Sequence, residues 1–120
     1  MNNSSSAKFK KNLNGGLVGL VLLAILDQSA EDLYGYEIAK RLANANEGTS
    51  IFKEGTIYPV LRGLSSANLL TSRIVPSYSG PPRRYYRITD QGRSVLAEWT
   101  AIWSGTRNFV DRFIFERHSP

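Results

Sequence analysis

Two short runs decide the fold: Thr71-Ser72-Arg73-Ile74-Val75 and Arg83-Arg84-Tyr85-Tyr86-Arg87-Ile88-Thr89, joined through Pro76-Ser77-Tyr78-Ser79-Gly80-Pro81-Pro82. Two strand-forming runs around a Gly/Pro-rich turn read as a β-hairpin. Along the second run, period two puts Arg83, Tyr85 and Arg87 on one face and Arg84, Tyr86 and Ile88 on the other. Tyr86 and Ile88 are expected to hold the hairpin against the body. Arg83 and Arg84 then stand at the mouth of a turn with little slack. Such a turn is either a solvated basic loop or one that lays guanidinium groups along a polyanion.

Helices surround this hairpin. Upstream, Ile57, Val60, Leu61 and Leu64 fall at i, i+3, i+4 and i+7 and form one apolar stripe, which predicts a helix opening around Gly55–Thr56. Pro59 lies near its first turn, where a missing N–H does least harm. Asn68 suits a left-handed cap behind it. A preceding helix carries Tyr36, Ala39, Leu42 and Ala43 toward the core, with Asp32 as its cap, and fades near Asn44–Gly48. Before that, Asn14 to Asp27 is apolar nearly all round, as a buried helix should be. After the hairpin, Thr89 or Asp90 caps a last helix running to about Phe115. The fold class is mainly α with a small β-hairpin, in the outline of a winged helix-turn-helix plus a C-terminal dimerisation helix. Three packed helices with an appended hairpin would give the same periodicity. The expected division is a flexible basic tail over 1–12, a winged helix-turn-helix over 13–90 and the dimerisation helix over 91–116.

A chain of 120 residues makes one domain. It has no Cys, and its only His is His118. Disulfides, thiolate nucleophiles, cysteine zinc sites and Ser-His or multi-His centres are therefore excluded. Carboxylate or lysine chemistry is all that an enzyme would have left; no catalytic residue, metal or cofactor is expected. The net charge is +5, and it is unevenly spread. Residues 1–11 hold Lys8, Lys10 and Lys11 with no acid. Residues 27–47 are acidic, through Asp27, Glu31, Asp32, Glu37 and Glu47. Residues 53–93 set Lys53, Arg62, Arg73, Arg83, Arg84, Arg87 and Arg93 against Glu54 and Asp90 alone. A basic middle segment points to a polyanion partner or to a solvated basic surface. The apolar run Leu17 to Leu26 is short for a bilayer, so a cytoplasmic protein without a membrane partner is expected.

The last helix has a wide apolar face. Trp99, Ile102, Thr106, Phe109 and Phe113 follow 3-4-3-4 spacing, with Leu96, Trp103, Val110 and Ile114 beside them. Twenty-five residues of helix reach about 37 Å, too far for a small body to cover. Left open, that face would exceed what monomers tolerate, so a two-fold homodimer is expected. Its seam would comprise Leu17, Leu20 and Val21 of the first helix with Ile102, Phe109, Val110 and Phe113 of the last.

Three blocks carry a more specific signal: Tyr34-Gly35-Tyr36-Glu37-Ile38, then Gly55-Thr56-Ile57-Tyr58-Pro59-Val60-Leu61, then Gly80 through Thr89 with Gly92. In this order and spacing they resemble the PadR family of bacterial transcriptional regulators, in its shorter branch with a single C-terminal helix. The resemblance covers roughly residues 13 to 114. Gly63, Ser65 and Asn68 depart from the family pattern within and just after the third helix. The resemblance implies a dimeric regulator, a repressor acting on a pseudo-palindromic double-stranded DNA operator. In a helix-turn-helix the second helix of the pair lies in the major groove. Its outward residues here are Thr56, Tyr58, Pro59 and Arg62, offering hydroxyls to phosphate and a guanidinium to base or phosphate. Tyr58 packing under the wing is the competing reading. Tyr34 is assigned to phosphate, Tyr36 to the core, and Arg83 and Arg84 to the DNA backbone or minor groove.

Relatives of the shorter branch resemble one another in carrying a Trp where Trp103 stands, and in some of them it flanks a pore for flat aromatic molecules. Trp103, with Trp99 and Phe109, is thus the candidate effector site for a small aromatic ligand; filling of the dimer seam is the alternative. A non-regulatory winged-helix module for nucleic acid or protein, without effector, is the second functional class.

Overall fold

The computed structural model describes residues 3–45 and 52–115. Helix α1 spans Asn3–Asp27, strand β1 Leu33–Tyr34, helix α2 Gly35–Ala43 and helix α3 Glu54–Ser66. Strands β2, Leu70–Val75, and β3, Arg83–Ile88, form the hairpin, and helix α4 spans Asp90–Ile114. The chain is mainly helical with a three-stranded antiparallel sheet ordered β1-β3-β2. It has the winged helix architecture that the hairpin and the helix periods predict.

The core forms where α1, α2 and α3 meet the hairpin. Val18, Leu22, Leu23 and Leu26 of α1 pack with Ile38, Ala39 and Leu42 of α2 and with Ile57, Leu61 and Leu64 of α3. Leu70, Tyr86 and Ile88 close it from the wing, all buried. Helix α3 stops in a Schellman motif: Leu69 N donates to the Leu64 carbonyl and Asn68 N to the Ser65 carbonyl. Asn68 takes the left-handed turn this needs, at φ 65°. Thr89 caps α4, its Oγ1 accepting from Gly92 N at 2.9 Å. A Cβ at Gly92 would overlap the Leu69 carbonyl oxygen, so α4 can start here only on a glycine.

Four expectations change. The sequence reading starts the first helix at Asn14; the structure carries it back to Asn3, so Lys8, Lys10 and Lys11 lie on a helix and not on a tail. With that extension, Ser4–Asp27 is long and apolar enough to cross a membrane by length and composition, yet Val18, Leu22, Leu23 and Leu26 on it are core residues. Asp32 does not cap α2. The cap position is Tyr34, without a side-chain bond, and Asp32 pairs with the wing instead. Tyr36 is 46% exposed and not core, because α2 opens at Gly35 and buries Gly35, Ile38, Ala39 and Leu42, a stripe that skips position 36. A third strand, β1, pairs Leu33 with Tyr86 and Tyr34 with Tyr85. Its two residues are too few to show a period. The fading of α2 beyond Ala45, with Glu47, lies outside the described residues, as does His118.

Candidate nucleic-acid interface

Helix α3 turns Ile57, Leu61 and Leu64 inward, which leaves Thr56, Pro59 and Arg62 exposed on its outer side. Tyr58 lies between these sets, half-buried against the core. Burial, with Glu54 nearby, pushes its phenol above the ordinary tyrosine range, so it stays a neutral hydroxyl able to donate or accept.

The wing stands beside this surface. Gly35 lets α2 approach it, since a Cβ there would lie 3.0 Å from the Tyr86 ring. Tyr34 meets the Tyr36 ring at 5.8 Å and the Tyr85 ring at 5.6 Å. Over this short stack sit three cations: Arg83 4.9 Å from the Tyr34 centroid, Arg73 5.3 Å from Tyr85, and Lys40 5.5 Å from Tyr36. Arg84 is on the opposite strand face, donating to Ser72 Oγ at 3.1 Å. Tyr34, Thr56, Tyr58, Pro59, Arg62, Arg83 and Arg84 thus occupy α3, the start of α2 and the wing, with the half-buried Tyr34 ring in contact with those of Tyr36 and Tyr85. The sequence reading leaves out Tyr36 and Lys40, which extend the same surface, and Tyr78, fully exposed at the hairpin tip. No local signal marked Tyr36, because its spacing to Ala39 and Leu42 is that of a buried face.

A second feature lies where α1 meets α4. Leu13, Leu17 and Leu20 face Trp99, Ile102 and Trp103 across an apolar groove of about 480 Å³. Trp99 rests against Gly19, where a Cβ would touch its ring at 3.4 Å. The structure brings Trp99 and Trp103 together here and leaves Phe109 out; that ring instead meets Phe113 at 5.0 Å. Leu17 and Val21 are half-buried against the chain's own core. Ile102, Phe109, Val110 and Phe113 stay exposed along α4, and Phe9 along α1.

Helix α3 beside a basic three-stranded wing defines the chain as a winged helix-turn-helix protein. Residues 22–98 match the Transcriptional regulator PadR-like family, and the chain belongs to that family. Its fold superposes on a PadR family transcriptional regulator from Eggerthella lenta with a TM-score of 0.78 at 31% identity, covering 96% of each chain. A PadR-like transcriptional regulator from Bacillus cereus gives 0.65 at 31% identity, over 83% of this chain and 93% of that one. By sequence, an uncharacterized protein of Lysinibacillus sphaericus is 30% identical over 102 residues, 85% of this chain and 91% of the relative. The Escherichia coli transcriptional regulator YqjI is 35% identical over 83 residues, 69% of this chain and 37% of its own length.

Proposed function

We propose that this chain is a dimeric, sequence-specific DNA-binding transcriptional repressor of the cytoplasm, released from its operator by a small aromatic effector. The observation that carries this reading is the juxtaposition of the exposed α3 side chains with Arg83 and Arg84 at the wing. Thr56, Pro59, Arg62 and the partly exposed Tyr58 would meet the major groove; the two arginines would take the adjacent backbone or minor groove. Residues 13–90 serve this contact and residues 91–116 serve dimerisation. A second copy would cover the open stripe of α4: Ile102, Phe109 and Phe113 are 63%, 59% and 71% exposed on one helix, and a monomer does not keep such a stripe in water. A two-fold pair would present two α3 helices to half-sites about one DNA turn apart.

The groove under Trp99 and Trp103 supports the effector. Paired indoles offer a flat ligand stacking surfaces worth about 0.5–1.5 kcal/mol per aromatic pair beyond burial. Release would follow from unequal ligand affinity for two dimer states. The test is titration of the chain's own upstream promoter duplex and a random duplex, with and without a planar aromatic such as a cationic dye. The repressor reading expects a large specificity ratio that the dye lowers, together with Trp fluorescence quenching that Trp103→Ala abolishes. Equal affinity for both duplexes would favour an architectural module.

A further inference from the structure

Asp32 precedes β1, and its carboxylate accepts from Arg87 Nε at 2.6 Å and from Arg73 Nε at 2.7 Å. Arg87 is on the middle strand and Arg73 on the far edge strand. One carboxylate therefore spans the sheet. It is 13% exposed, against 61% and 62% for the two arginines. Glu31 borders the same hollow, of about 460 Å³. Two acids thus face two guanidiniums, and the patch has no net formal charge.

Such pairing continues along the basic middle segment. Arg93 is held by Asp27 at 3.2 Å and Asp90 at 3.1 Å. Among the described residues, no ion pair engages Arg62, Arg83 or Arg84. The acidic segment read in the sequence folds onto part of the basic one and cancels it selectively. What remains uncancelled is α3 and the mouth of the wing. Sequence-independent affinity for DNA comes from cations that displace counterions from phosphates. A guanidinium already matched by a protein carboxylate displaces none.

We propose that Asp32 is a specificity-determining residue: by holding Arg73 and Arg87 in the sheet face it withholds two cations from the DNA backbone and suppresses binding to random sequence. This rests on the DNA-binding reading above and adds to it a residue that acts by restraint. Asp32 does not touch DNA; it positions two arginines that would.

The experiment compares wild type and Asp32→Asn on the upstream duplex and on random duplex over a salt series. In Asp32→Asn the salt slope on random duplex steepens by about one to two, since each new phosphate contact adds about 0.9. Between about 50 and 200 mM salt the variant then loses about four- to sixteen-fold more affinity than wild type. Its low-salt specificity ratio falls. Arg73→Gln with Arg87→Gln leaves the wild-type slope unchanged, and added to Asp32→Asn it removes the gain. A wild-type slope in a cooperatively folding Asp32→Asn overturns the proposal. So does a lower slope in the double glutamine variant, which decides the matter even if Asp32→Asn does not fold. Arg84→Ala runs in parallel: if wild type itself shows no salt-dependent binding to either duplex, the DNA-binding reading fails at that stage, before Asp32 is tested.

Discussion

The guanidinium of Arg83 lies 4.9 Å from the centre of the Tyr34 ring, tying the mouth of the wing to the strand that leads into α2. Arg84, one residue on, faces the other way and leans on Ser72. Strand alternation therefore points the two arginines to opposite faces of the wing.

Arg83→Ala and Arg84→Ala are expected each to weaken specific and random duplexes alike and to lower the salt slope by about one. Arg62→Ala and Tyr58→Phe should weaken the specific duplex more than the random one, since α3 is the helix proposed to enter the major groove. Anisotropy titrations over a salt series measure both. Wing variants that bind as wild type, beside α3 variants that fail, would make the wing structural only.

How much of this was legible in sequence depended on the range of each interaction. The stripe Ile57, Val60, Leu61 and Leu64 and the alternation of Tyr86 and Ile88 are local periods, and both appear as read. Asn68 and Thr89 also carry their signal locally, in a backbone preference and a hydroxyl three residues from an N–H. Asp32 looked like a cap because a local role was all that its neighbourhood offered. Its partners lie 41 and 55 residues away, and no period encodes such a pairing. Tyr36 failed differently: i+3 and i+6 neighbours suggested a face, but the helix start at Gly35 shifted the stripe by one residue. Of the candidate ligand residues, Trp99 and Trp103 share a groove because four residues make one helical turn. Phe109 lies about 9 Å further along the helix than Trp103.

Phe109→Glu places a charge in the exposed stripe of α4. If a second copy covers that stripe, the buried unpaired carboxylate costs about 3–5 kcal/mol of dimer stability. Light scattering at micromolar concentration should give a dimer for wild type and a monomer for the variant, with unchanged helicity by circular dichroism. A monodisperse wild-type monomer would remove the seam.

Asp32 also predicts a pH dependence. The Arg73 guanidinium, joined by Arg87, outweighs burial and holds its carboxyl below the usual carboxylate range. A depressed folded-state value means the stabilisation is fully present above the unfolded carboxylate pKa of about 3.9 and is lost as pH falls through the folded value. Asp32→Asn is expected to cost about 1–2 kcal/mol at pH 7, held down by the solvent around both arginines. The gap between wild type and variant should close below about pH 4 in urea melts. A gap unchanged at pH 2–3 would mean that the ion pairs are not its source.

The most direct measurement is a high-resolution footprint of the wild-type protein on its own upstream promoter, with light scattering of the same complex. The account predicts two protected half-sites related by pseudo-two-fold symmetry, with centres about one turn, or 10–10.5 base pairs, apart, and two chains bound. Uniform protection without preferred sites, or a single half-site held by one chain, would contradict it.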